Sequence, residues 1–334
     1  MTAAAPPSGP AVRFEHVVRS YGGHRGVDGV TLDVESGSFC VLLGPSGCGK
    51  TTLLKTVNRL LEPTSGRVIV EGQDIAAVDP VALRRRIGYA IQQVGLFPHM
   101  TVGENVAVVP GLLGWSRERT TARVGELLDL VHLPSAEYRA RLPRELSGGQ
   151  QQRVGLARAL AGDPSILLMD EPFGAVDAIE RTHLQDEIVA LQRRLRKTIL
   201  FVTHDVDEAL RLADAIVVMR AGRVEQAGSP LDVLARPATP FIADLVDSHD
   251  VLRLMSVVNV ADAMDRSTAA RQTPVAGPDT SVRPGSTLRE ALSLLAALGE
   301  HELPVYDDGT VVGSITVDGI LGAVRRIAQR RSAG

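Results

Sequence analysis

Long apolar runs are missing from this sequence. Nowhere do roughly 18 apolar residues follow one another, which excludes a membrane-spanning helix. Aromatic residues make up only 3% and form no cluster, so the chain has no ring cage with which to hold an organic cation itself. Two cysteines, Cys40 and Cys48, are too few for a disulfide framework and fit a reducing compartment. A basic excess is absent as well: the formal net charge of −3 gives no field for nucleic acid, and no such partner is expected. Residues 1–10 hold no basic residue and no apolar run, unlike a secretory signal, and their small residues and prolines predict a disordered N-terminus. These absences predict a cytoplasmic chain.

What is present is enough for two domains: 334 residues, 44% of them hydrophobic. The first two thirds alternate short β-branched runs with helical patterns, predicting an α/β domain with a mostly parallel, helix-covered sheet. Strands are expected at residues 12–18, 31–34, 39–43, 87–91, 166–169 and 198–202, and helices at 49–61, 117–131 and 156–161. Ser229-Pro230 and Thr239-Pro240 each place a capping hydroxyl before proline, a helix start. Composition shifts after about residue 246, and 265–285 reads as irregular. A helix over 288–298 and strands at 302–306 and 311–316, joined by the Asp308-Gly309 turn, then predict a second, small α/β module.

Three motifs carry chemistry. Gly44-Pro45-Ser46-Gly47-Cys48-Gly49-Lys50-Thr51, followed by Thr52, is a phosphate loop in its required setting, after an apolar strand and before a helix. Its glycines let backbone N–H groups turn toward phosphate oxygens, Lys50 suits the β and γ phosphates, and the Thr51 hydroxyl suits Mg²⁺. The run Ile166-Leu167-Leu168-Met169 ends in Asp170-Glu171, placing one carboxylate to hold a metal and the next to deprotonate an attacking water. Leu146-Ser147-Gly148-Gly149-Gln150 opens a helix with exposed backbone N–H groups at its positive end. Cys40 reads as core. Cys48 occupies a variable loop position, where thiol alkylation is expected to block nucleotide binding.

With that pentapeptide in place the chain resembles an ABC ATPase, over residues 12–246. The resemblance implies a P-loop NTPase domain with a helical subdomain, spanning 11–247. It also implies a head-to-tail dimer in which Ser147, Gly148, Gly149 and Gln150 of one copy cap the ATP held by the other. By the same resemblance Tyr21 stacks on adenine, and Gln92 reaches Mg²⁺ and the water. Asp177, in Gly174-Ala175-Val176-Asp177 where the family more often has Ser-Ala-Leu-Asp, crosses the dimer interface. His204 contacts the γ-phosphate and positions Glu171.

The segment from Tyr89 to Val102, with its Gln92-Gln93-Val94-Gly95-Leu96-Phe97-Pro98-His99-Met100-Thr101 core, resembles ATPases of quaternary-amine importers, at the place where the family docks a permease helix. Amino-acid and polyamine importers have similar segments. Leu303-Pro304-Val305-Tyr306 and Val311-Val312-Gly313-Ser314-Ile315-Thr316 resemble a CBS motif, implying a small α/β CBS-like regulatory domain over 255–328 and a tail at 329–334. Only one convincing copy is present, and the acid that grips ribose in adenosyl-binding CBS sites falls at Gly319, beside Asp318. The tail arginines Arg325, Arg326, Arg330 and Arg331 read as a solvated helix face. Function as the resemblance implies it is an ATP-hydrolysing subunit of an importer, peripheral to the cytoplasmic face of the membrane. Its partners are permease subunits and, indirectly, a solute-binding protein. A soluble ABC ATPase of DNA repair or translation would carry coiled-coil or zinc insertions, or two cassettes, which the sequence lacks.

Overall fold

The computed structural model describes residues 9–91, 95–174, 176–248, 250–266 and 281–332. By contacts the chain falls into two compact units: residues up to Asp205 with Leu212–Glu225, and Val206–Arg211 with the remainder from Gln226.

In the first unit the strands are β1 (Val12–Tyr21), β2 (His24–Val34), β3 (Phe39–Leu43), β4 (Ser65–Val70), β5 (Gln73–Asp74), β6 (Ile87–Ala90), β7 (Ile166–Asp170), β8 (Thr198–Thr203) and β9 (Ala215–Arg220), and β10 (Arg223–Gly228) begins there. Six form one sheet in the order β10-β9-β3-β8-β7-β6. Its pairs β3–β8, β3–β9, β7–β8 and β6–β7 are parallel. Every residue of β3, β7 and β8 is buried, as strands covered on both faces must be, which is why they read as unbroken apolar runs. The second sheet, in the order β2-β1-β4-β5, is antiparallel. Between the sheets runs the Lys50–Val57 helix, whose Leu53, Leu54 and Val57 pack with Phe14, Val30, Leu42, Leu168 and Val202. Each of those leucines contributes about 1.5–3 kcal/mol by leaving water. The helix ends at Val57, short of the expected residue 61, because Asn58 leaves helical angles and Arg59 turns to a φ of 52°.

Parallel register fixes what the sheet presents. Leu43 pairs with Thr203 and Asp170 with Val202, so β3, β8 and β7 end side by side. The loop after β3, the carboxylates closing β7 and the histidine after β8 are thereby gathered at the carboxyl edge, where open α/β sheets bind ligands. Helices Val102–Leu112, Arg117–Leu130 and Gly148–Leu160 form the expected helical subdomain, each started by a hydroxyl cap: Thr101, Ser116 and Ser147.

Helices Pro230–Ala235 and Pro240–Leu245 of the second unit begin at Ser229 and Thr239 with proline in the first turn, as predicted. Further on, the hairpin of β11 (Glu302–Asp307) and β12 (Thr310–Thr316) turns at Asp308 and Gly309, both at positive φ (44° and 81°), as a two-residue hairpin turn demands. The Leu288–Leu298 helix opens with a Thr287–Glu290 capping box and closes on left-handed Gly299. Leu254, Val260, Leu288, Ala291, Leu295, Leu303, Val305, Ile315 and Ile320 form this unit's own core.

Candidate active site

Backbone shape comes first. Gly44, Gly47 and Gly49 take φ values of 152°, 78° and 106°, and a Cβ on Gly49 would stand 2.2 Å from the Gly26 carbonyl. The loop is pinned from beneath, Gly222 N–H donating to the Cys48 carbonyl at 2.9 Å. Pro45, Ser46 and Gly47 remain exposed. Lys50, only 5% exposed, opens the following helix. Its Nζ donates to the carbonyls of Gly44 (2.6 Å) and Pro45 (3.0 Å), within the very loop it serves. A buried ammonium whose bonds go to neutral carbonyls fits a polyanion as its charge partner.

Opposite it stands the reverse case. Asp170 is 5% exposed and accepts a hydrogen bond from Thr51 Oγ1 at 2.7 Å. Burial pushes its carboxyl above the usual carboxylate range, against the pull of Thr51, Lys55 and Lys50. A carboxylate and a hydroxyl together suit a hard cation bound through oxygen. Thr51 and Asp170, both expected to hold Mg²⁺, are thus brought together. Glu171 follows at a φ of 45°, costly for a residue with a side chain, held there by its N–H bond to the Val202 carbonyl (3.0 Å). Its Oε1 lies 3.2 Å from His204 Nδ1. Thr52 lies half-buried in the second residue after Lys50.

Tyr21 is 44% exposed, with the Arg19 guanidinium 4.8 Å from its ring centroid. Ser147 caps the Gly148–Leu160 helix by accepting from Gln150 N–H (3.2 Å), while Gln150 Oε1 accepts from Ser147 N–H (3.0 Å). The Gln150 amide also donates to the Tyr138 hydroxyl (3.3 Å). Gln150 is therefore committed to shaping the helix start, leaving Gly148 exposed and Gly149 half-buried. These residues share a cavity of about 530 Å³ with His132, Leu133, Tyr138, Arg153 and Asp177. Gln92 lies outside the described residues.

Cys48 corrects an expectation. It is 4% exposed, tucked beneath Gly44 with Sγ 3.8 Å from Lys50 Nζ, so it is not a ready target for alkylation. Cys40 is core as expected, burial pushing its thiol up to about 12. Sequence reasoning passed over Asn105, fully buried, whose amide donates to the carbonyls of Phe97, Met100 and Thr101 and whose oxygen accepts from Phe97 N–H. A polar residue in an apolar helix, four residues after a capping threonine, was the available signal. A groove of about 250 Å³ lined by Phe97, Val108, Val109, Arg84, Arg85 and Arg158 was also not foreseen, because it joins distant segments.

A phosphate loop, paired carboxylates and a histidine on three adjacent parallel strands define a P-loop nucleoside triphosphatase. The particular kind follows from comparison. The ABC transporter family model matches residues 27–174, and the CBS domain model matches 255–326. The osmoprotectant import ATP-binding protein of Salmonella typhimurium is 44% identical over 91% of this chain and 78% of its own length. The glycine betaine uptake system ATP-binding protein of Escherichia coli is 47% identical over 89% of this chain and 94% of its own length. A dimeric ATP-binding cassette solved with ADP and Pi superposes with a TM-score of 0.61 at 33% identity, covering 66% of this chain and 98% of that one. The chain belongs to the ATP-binding proteins of ABC transporters, ATPases coupled to transport, and carries a CBS domain.

Proposed function

We propose that two copies of this chain bind ATP with Mg²⁺ head to tail and hydrolyse it to drive import of a quaternary-amine osmoprotectant. They do so beneath permease subunits at the cytoplasmic face of the membrane. One observation carries the dimer. The cavity at Ser147–Gln150, lined also by His132, Leu133, Tyr138, Arg153 and Asp177, includes no residue of 44–51, so the lid within this cavity faces no phosphate cradle of its own. A two-fold pair resolves this by lending each lid to the other copy's cradle.

On this reading Lys50 exchanges its carbonyl partners for β and γ phosphate oxygens, and Tyr21 offers its ring to the base. Mg²⁺, held by Thr51 and Asp170 and reached by Gln92, would neutralise charge on the β and γ oxygens. Glu171 takes a proton from the attacking water while His204 holds its carboxylate in line. Gly148 and Gly149 of the second copy direct backbone N–H groups at the γ-phosphate from a helix N-terminus, and Asp177 lies beside them at the interface. The 250 Å³ groove, apolar with three arginines at hand, receives the permease helix. The solute reading rests on relatives whose names specify osmoprotectants and glycine betaine and whose matches cover 91% and 89% of this chain. With aromatics at 3%, recognition of the cation falls to a separate binding protein and the permease.

The test is reconstitution with the permease and solute-binding protein of a quaternary-amine importer. ATP-dependent uptake of glycine betaine, choline or carnitine is expected, and Glu171→Gln should bind ATP while losing about 10²–10⁴-fold in turnover. Uptake of a polyamine or amino acid instead, or near-normal turnover by Glu171→Gln, would overturn the solute or the base respectively.

A further inference from the structure

Tyr89 has no part in the chemistry above, yet its hydroxyl is buried and makes no hydrogen bond among the described residues. Buried polar groups are nearly always paired, so an orphan of this kind calls for a cause. Its place in the sheet supplies one. Tyr89 stands on β6 opposite Leu168 of β7 in parallel register. Side chains alternate along a strand, so Leu168 and Asp170 face the same way, and Tyr89 faces with them. The ring packs on the core that contains Leu168, and burial first, then the Asp170 carboxylate, pushes its phenol up. Asp170 in turn has one donor among the described residues, Thr51, at Oδ1.

We propose that Tyr89 is a positioning residue for the metal site: its hydroxyl donates to Asp170 Oδ2 and aims the carboxylate at Mg²⁺. This rests on Asp170 being the metal-holding carboxylate. Outer partners of this kind fix the orientation of a ligating side chain and commonly matter about tenfold or more in metal affinity. The phenol costs nothing to aim, because the ring is already fixed by Leu168 and its neighbours. Thr51 and Tyr89 would then hold the two oxygens from opposite sides, one from the helix after the phosphate loop and one from the neighbouring strand.

The test compares the full chain with Tyr89→Phe and Asp170→Asn. Mn²⁺ is titrated as a probe into the complex with a non-hydrolysable ATP analogue, and bound Mn²⁺ is counted by paramagnetic resonance. Nucleotide affinity and thermal midpoint are measured in EDTA alongside. Tyr89→Phe should weaken Mn²⁺ about tenfold, with EDTA affinity unchanged and the midpoint equal or higher, since an unpaired buried hydroxyl is lost. Asp170→Asn should lose Mn²⁺ binding. Full Mn²⁺ affinity in Tyr89→Phe beside its loss in Asp170→Asn overturns the role of Tyr89 alone. Retained Mn²⁺ in Asp170→Asn overturns the metal reading itself. A lowered midpoint of Tyr89→Phe in EDTA also overturns the proposal, by showing that the hydroxyl already serves another partner.

Discussion

Head-to-tail assembly makes a demand that can be met in a test tube by mixing two dead proteins. Lys50→Ala removes the ammonium from the phosphate cradle. Ser147→Asp acts on the lid, and the structure says how to read it without confusing function with folding. Ser147 Oγ accepts from Gln150 N–H at 3.2 Å, and aspartate makes an equally good cap, favoured further by the positive helix end. Stability should therefore move by no more than about 0.5 kcal/mol, whereas Ser147→Ala would forfeit about 1 kcal/mol. The new carboxylate nevertheless points at the place where the partner's γ-phosphate must arrive. Two like charges about 4 Å apart at an effective dielectric near 20 repel by about 4 kcal/mol, roughly a thousandfold against closure.

Each variant alone should be inactive. Mixed in equal amounts, half of the dimers pair one of each, and every such dimer owns one intact site: the good cradle of the Ser147→Asp copy under the good lid of the Lys50→Ala copy. Turnover should return to about a quarter of the wild-type value per protein. A protomer carrying both changes should restore nothing. Were the lid to serve its own chain, no mixture could recover activity. Silence from a mixture whose heterodimers are verified by differential tags would refute the reasoning, as would a Ser147→Asp protein that works alone.

Two further outcomes follow from burial. Asn105→Ala strands the Phe97 N–H and three carbonyls, a local cost of about 2–3 kcal/mol. ATPase activity of the isolated chain should persist while stimulation by the permease is lost; equal loss of both would separate the 97–101 turn from docking. Cys40 and Cys48 are 2% and 4% exposed, so thiol reagents should react slowly with the native chain and fast only in denaturant. Rapid native labelling of Cys48, read by mass spectrometry, would contradict its place under Gly44.

Legibility in the sequence tracked how local the governing physics is. β3, β7 and β8 could be read because strands buried on both faces must be apolar throughout, and their ends could be read because charge there has no other use. The caps at Ser229 and Thr239 needed only neighbours. The antiparallel sheet was not foreseen beyond parts of β1 and β2. β4 begins Ser-Gly-Arg with all three exposed, and β10 has no buried residue, so neither shows a strand's alternation. Helix Ala178–Leu195 was passed over because charge interrupts its apolar positions. Cys48 was misjudged for a related reason: loop residues read as exposed, and only the fold shows one turned inward.

Three costly features of the first unit meet where the motifs lie. Lys50 is buried without an anion among its hydrogen-bond acceptors, Asp170 is buried with its ionised form disfavoured, and Glu171 holds a left-handed backbone. Each feature opposes folding when taken singly, and each is imposed by neighbours that satisfy every local rule: buried strands in register, a capped helix, a loop pinned through Gly222. The pull of Lys50 on the Asp170 carboxylate does not outweigh the burial of that group, which takes its hydrogen bond from Thr51. What relieves both at once is a ligand with phosphate at one end and a divalent cation at the other. That ligand would bind the folded chain and not the unfolded one, so its binding energy returns as stability. Departures from local rules that meet at one sheet edge are the pattern expected of a site shaped for its substrate.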